Sequence, residues 1–196
     1  MIRISAPSSA RRPFLAAALL GLAALTFASA PAQAQRAPAG KPAPAKTGGQ
    51  GQALLLESAG KWQAFSSQQG RSKICYALSK AESRSPANLK DVEGLLFISS
   101  RPGEGVRNEI SLVMNFDLKE DVEHQAIIGS DRFALVAKGQ NVWLKNPAEE
   151  GRMLDALRKG SGLEIKGTSK RGNATSDKYS LAGISQIVKR AEDACK

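Results

Sequence analysis

Little in this chain carries reaction chemistry. A single histidine, His124, stands among 196 residues, so any imidazole acid–base or metal site rests on that one side chain. The two cysteines, Cys75 and Cys195, lie far apart, and the C-x-x-C spacing of a redox pair is absent. No G-x-S-x-G elbow occurs, which removes a common hydrolase signature. Aromatic residues make up 5% of the chain, and none are interleaved with basic clusters as nucleic-acid platforms require. No run of five or more basic residues is present. Beyond residue 34 no stretch approaches 18 apolar residues, so the mature chain is expected to be soluble.

What is present begins at the N-terminus. Arg3, Arg11 and Arg12 precede an apolar run from Phe14 to Phe27, and Ala32-Gln33-Ala34 supplies a small-residue cleavage site. The apolar run falls short of the ~20 residues that cross a bilayer as a helix, so a cleaved signal peptide is expected rather than an anchor. Cleavage after Ala34 sends the chain to the periplasm or the exterior. Arg11-Arg12-Pro13-Phe14-Leu15 also resembles a twin-arginine signal, and both export routes stay open. No cysteine stands at the cleavage point, where Gln35 follows Ala34, so a lipid anchor is not expected.

Removing residues 1–34 leaves 162 of the 196, enough for one domain. It also takes three of the 28 basic residues and none of the 18 acidic ones, lowering the formal charge from +10 to +7. That sign favours anionic neighbours, although the scattered charges serve solubility equally well. In an oxidising compartment Cys75 and Cys195 are expected to form one disulfide. Closing so long a loop stabilises by up to about 4–5 kcal/mol on the chain-entropy account.

Residues 35–59 read as a disordered lead rich in Pro, Ala and Gly, with Leu54-Leu55-Leu56 as a short docking turn. The folded domain is expected over 60–196. Period-two alternation marks strands around Trp62 and Ala64, Ile74 to Leu78, Gly94 to Ser99, Ile110 to Phe116, Phe133 to Ala137, and Val142 to Leu144. Asn146 as N-cap, Pro147 and Glu149 predict a helix carrying Met153, Leu154 and Leu157 and ending at Gly160. Leu163 to Ser169 and Thr175 to Leu181 read as a hairpin turning near Gly172-Asn173. Ile184, Ile187, Val188, Ala191 and Cys195 share one face of a last helix, pinned by the disulfide across the Cys75 face of its strand. The expected architecture is a mostly-β sandwich with one crossover helix and one C-terminal capping helix.

Candidate sites are few. Ser58-Ala59-Gly60-Lys61 and Lys46-Thr47-Gly48 match the S-x-x-K and K-T-G penicillin-recognition signatures only by chance, since their order is reversed and the chain is too short. His124 lies near Asp117, Glu120, Asp121 and Glu123, which could offer oxygens to calcium but lack EF-hand spacing; an exposed loop is the better reading. Lys166, Lys170, Arg171 and Lys178 surround the hairpin turn and form a candidate contact for an anionic glycan or lipid. Asn173-Ala174-Thr175 is an isolated glycosylation sequon. The eight aromatics beyond residue 34 are expected in the core. No catalytic residue, metal or cofactor is assigned.

Residues 61–195 resemble the invasion-associated locus B family of bacterial exported proteins. The resemblance is carried by Lys61-Trp62, Cys75-Tyr76, Arg101-Pro102, Val106-Arg107-Asn108-Glu109 and Phe133 to Gly139. It continues through Trp143, Lys166-Gly167-Thr168-Ser169, Arg171-Gly172, Asp177-Lys178-Tyr179-Ser180-Leu181, Gly183 and Cys195. It implies an immunoglobulin-like β-sandwich behind a signal peptide, and a non-enzymatic role in host-cell invasion or envelope maintenance through an envelope or host-surface partner. The cysteine count, lower than in some members, and the Pro/Ala-rich lead depart from it. Two other readings stand beside it. One is an anion-binding module for acidic glycan or lipid; the other is a small hydrolase gathering His124 with a serine and a carboxylate. Nucleic acid is not an expected partner.

Overall fold

Alternation along the chain becomes a single antiparallel ladder in the structure, a computed structural model that describes residues 52–196. Residues 1–51, which include the expected signal peptide and most of the expected lead, lie outside the described residues. Eleven strands are present among them: β1 (Leu54–Ala59), β2 (Trp62–Gln69), β3 (Ser72–Lys80), β4 (Ser83–Ser85), β5 (Leu95–Arg101) and β6 (Val106–Val113). β7 (His124–Ile128), β8 (Asp131–Lys138), β9 (Asn141–Leu144), β10 (Gly162–Thr168) and β11 (Ala174–Ser180) follow. Helix α1 (Glu150–Lys159) links β9 to β10, and α2 (Ile184–Ala194) ends the chain.

The strands run in the order β1-β2-β3-β5-β6-β9-β8-β7-β10-β11-β4. β4 lies two residues after β3 in sequence yet forms the far edge of the sheet. The Ala81 N–H donates to Gly94 O just before β5, and the Glu82 N–H donates to Lys178 O on β11, each at 2.8 Å. The far edge is thus returned to the β3–β5 region, and the sheet curls round one core. Trp62, Leu96, Leu112, Leu135, Leu163 and Tyr179, drawn from both halves of the strand order, are all buried there.

α1 forms where its capping residues stand. Asn146 Oδ1 accepts from the Ala148 N–H at 3.1 Å, Pro147–Glu149 make a 3-10 turn, and Met153, Leu154 and Leu157 are buried. Glu149 does not reach back to complete a capping box; it pairs with Arg152 at 2.7 Å. α2 buries Ile184, Ile187, Val188 and Ala191, as its spacing predicts. Cys195 at its C-cap is bonded to Cys75 on β3, with the two Cα atoms 5.8 Å apart.

Two corrections concern extent. The body starts earlier than residue 60, because Leu54–Ala59 pair with β2 as an edge strand; the apolar triplet forms a strand, not a docking turn. β4 and β7 are also strands that the alternation did not mark, since β4 has three residues and β7 begins in the acidic stretch.

The β1–β2 turn and the start of α2 meet backbone to backbone. Gly60 and Gly183 both have positive φ, 60° and 92°. A Cβ at Gly60 would lie 2.6 Å from Ala182 O, and one at Gly183 would lie 2.5 Å from Ala59 O. Only glycine meets both conditions.

Candidate functional site

The outer face of the first half of the sheet carries large apolar side chains interspersed with small polar ones such as Gln63 and Ser111. Cross-strand register builds an unbroken row through Gln63, Leu78, Phe97, Ser111, Trp143 and Val136, spanning β2, β3, β5, β6, β9 and β8. Phe65 stacks on Tyr76 with ring centroids 5.2 Å apart, and Tyr76 meets Phe97 at 5.8 Å. Burial pushes the Tyr76 hydroxyl above its usual pKa. Leu55 and Val136 widen the patch, 48% and 39% exposed. Past β8 the same outer face turns polar, with Gln125, Glu164, Lys166, Ser176, Lys178 and Ser83 in register.

This corrects the expectation that the aromatics are core residues. Phe65, Tyr76, Phe97 and Trp143 are half-buried on the outside, whereas Trp62, Phe133 and Tyr179 are buried within. The reason is α2. It lies on the Cys75 face of β1, β2 and β3, where the small residues Ala64, Cys75, Ala77 and Ser79 let a helix approach closely. Glu57, paired opposite Ala64, contacts Gln186 and Arg190 of α2. The inward face is therefore filled by helix and Trp62, and the bulkier side chains point out. Among the described residues neither helix covers them. The sequence signal was β3 itself, apolar on both faces with the larger residues at Ile74, Tyr76 and Leu78.

A polar cluster lies inside the second half. Arg84 Nη2 and Asp177 Oδ2 are 2.8 Å apart with side-chain exposures of 3% and 0%. Arg84 also donates to Val92 O at 2.6 Å and Met114 O at 3.0 Å, and its guanidinium lies 5.3 Å from the Phe116 ring centre. Burial raises the Asp177 pKa, with Arg84 opposing it through a hydrogen bond and its charge. Burial, and then the neighbouring Asp177, push the Tyr179 hydroxyl far above its ordinary range. Gly94 leaves the room for this group: a Cβ there would lie 2.7 Å from Asp177 Oδ2 and 3.0 Å from Tyr179 Oη.

The four hairpin cations do not converge. Lys166 lies on the sheet face, 3.7 Å from Glu164, and Lys178 lies opposite Glu164 in register. Lys170 and Arg171, in the turn, border a cleft of about 430 Å³ instead. Its other walls come from Asn88 and Leu89 before β5, Phe116 and Asp117 after β6, and Gln140 in the β8–β9 turn. The Lys170 N–H donates to Asp117 O at 2.8 Å, tying two walls together.

His124 is a core residue, 1% exposed, not a loop residue. Its Nε2–H donates to Lys119 O at 2.9 Å and Nδ1 accepts from the Thr168 N–H at 3.3 Å, so both ring nitrogens are held by backbone in the neutral form. The nearby acids are engaged separately. Glu123 pairs with Lys145 at 3.0 Å, Asp121 with Lys119 at 3.8 Å, and Glu120 accepts from the Gly139 N–H at 2.7 Å. Among the described residues no three His, Cys, Asp or Glu side chains gather as metal ligands would. Ser58, of the S-x-x-K match, lies on edge strand β1 opposite Gln63; Lys46-Thr47-Gly48 lies outside the described residues.

Compared with family models, curated proteins and solved structures, the chain gives no match. Among the described residues no helix is long and apolar enough to cross a membrane.

Proposed function

We propose that this is an exported, non-enzymatic envelope protein of the invasion-associated locus B type, which works by holding a protein partner against the outer face of β2, β3, β5, β6 and β9. Residues 1–34 act as its signal peptide, and the periplasm or cell exterior is its place of work. The Cys75–Cys195 bond supports that placement, because disulfides persist outside the reducing cytosol. In this reading the curled sheet is an immunoglobulin-like sandwich whose two layers are joined through β6–β9 pairing and through the chain segment from β3 to β4.

The observation that carries the proposal is the outward aromatic cluster of Phe65, Tyr76 and Phe97, with Trp143 beyond Ser111 on the same face. Contiguous apolar surface of this kind marks interaction sites on soluble proteins. Tyr, Trp and Phe at the centre with charged groups at the rim match the make-up of protein interfaces. Here Arg101 with Glu109, and Lys80 with Glu93, supply that rim. Role in invasion or in envelope maintenance depends on the partner.

The test uses the exported chain as bait in envelope extract, with mass spectrometry of what it retains. A retained protein should be lost on Phe65→Ser with Trp143→Ser, while Lys166→Gln leaves it bound. Circular dichroism confirms that each variant is folded. Undiminished retention by the folded double variant overturns the assignment of this face.

A further inference from the structure

The cleft bordered by Lys170 and Arg171 is separate from the aromatic face and has a different chemistry. We infer that it binds an acidic sugar unit, a pyranose ring carrying a carboxylate. This inference does not depend on the partner proposed above.

Size is the first argument. About 430 Å³ falls within the range of clefts that enclose small ligands, roughly 300–1,000 Å³. Rigidity is the second. The β10–β11 turn is closed by the Gly172 N–H donating to Ser169 O at 2.7 Å and the Ser169 N–H donating to Asn173 O at 2.9 Å. Opposite, the Leu89 N–H donates to Pro86 O at 2.9 Å, and Phe116 is held under the Arg84 guanidinium. A site whose walls are already fixed loses less entropy on binding.

The lining chemistry selects the ligand. Asn88 and Asn173 present side-chain amides that can both donate and accept, as neighbouring sugar hydroxyls require, while Gln140, whose Nε2 donates to Asp117 Oδ1 at 3.4 Å, offers its amide oxygen. Leu89 and Phe116 provide apolar surface for the C–H face of a ring. Arg171 has no ion pair or side-chain hydrogen bond among the described residues, and its fork suits a carboxylate. Lys170 lies 3.9 Å from Asp117, a loose pair that leaves its ammonium available to an anion. A bare phosphate would use the cations and leave the amides and apolar wall idle. A neutral sugar would leave Arg171 unused.

The test is titration calorimetry of the full exported chain with digalacturonate, beside a neutral galactose disaccharide, inorganic phosphate, and anionic phosphatidylglycerol vesicles. Digalacturonate should bind and the neutral disaccharide should bind at least about tenfold more weakly, the scale of one lost charge-assisted hydrogen bond. Arg171→Gln and Asn88→Leu should each weaken digalacturonate about tenfold, while Lys178→Gln leaves it unchanged. Amide chemical shifts should move at residues 86–89, 116–117, 140 and 169–175. Absence of digalacturonate binding overturns the inference, as does equal binding by Arg171→Gln. Phosphate competing with equal strength, or vesicle binding without sugar binding, also overturns it.

Discussion

Arg84 on β4 and Asp177 on β11 form an ion pair at 2.8 Å, almost without solvent exposure, across the far edge of the sheet. The pair explains how a three-residue strand can hold that edge. Its guanidinium also satisfies the carbonyls of Val92 and Met114, so one side chain ties β4 to the segments on either side of β5 and β6.

Removing only one member should therefore be costly. Arg84→Met leaves Asp177 buried without its partner and frees two carbonyls, a loss of about 3–5 kcal/mol in urea unfolding. The double replacement Arg84→Met with Asp177→Leu should recover a large part of that loss, because no charge is left alone. Equal stability of the single variant and the parent would remove this role.

Tyr179 makes stability depend on alkaline pH. In the unfolded chain a tyrosine ionises near pH about 10, but burial and Asp177 keep the folded hydroxyl neutral well above that. A raised folded pKa gives stability that is complete below about pH 10 and is lost as pH rises further. Urea midpoints measured from neutral pH to above about pH 10 should fall steeply in the parent. In Tyr179→Phe they should fall less, with the half-buried Tyr76 and the Lys196–Asp193 pair among the groups still titrating there.

The disulfide should carry a large share of the stability. Cys75→Ser with Cys195→Ser releases a loop of 120 positions, costing up to about 4–5 kcal/mol by loop entropy. Matching unfolding curves with and without reductant would contradict this. Thiol labelling of the folded parent should find neither cysteine reactive.

Gly183→Ala combines a left-handed backbone with a collision against Ala59 O. It should destabilise by more than about 1–2 kcal/mol, the left-handed penalty alone. Gly70→Ala isolates that penalty, since Gly70 has φ 59° but open space around it. Gly103→Ala, with neither feature, should change little. Thermal unfolding of the three variants ranks them.

N-terminal sequencing of the exported protein should begin at Gln35. A start at Met1 in the extracytoplasmic fraction would remove the signal peptide reading.

Much of the fold was legible because local rules decide it. Asn146 caps the 3-10 turn that leads into α1, the β10–β11 hairpin turns at Gly172, and α2 buries the stripe that its spacing marks. What alternation could not tell is which face of a two-sided apolar strand points inward. Ala64, Cys75 and Ala77 are inside because α2, more than 100 positions later, packs closely on that face; the Cys75–Cys195 pairing pointed to the helix there, but not to that face being the core. The cleft was half legible. Lys170 and Arg171 stood out as a charged turn, but Asn88, Phe116 and Gln140 join them only through tertiary return of the chain. His124 misled for a similar reason: its acidic neighbours in sequence turn to other partners, and backbone groups from Lys119 and Thr168 claim the ring.

The covalent bond between β3 and the last helix also governs how the molecule survives damage. A protease cut in any loop between residues 76 and 194 yields two pieces that stay tethered as one particle. Such nicked protein would run at full mass on a gel until reductant is added, so a cut need not separate the strands that build the outer face.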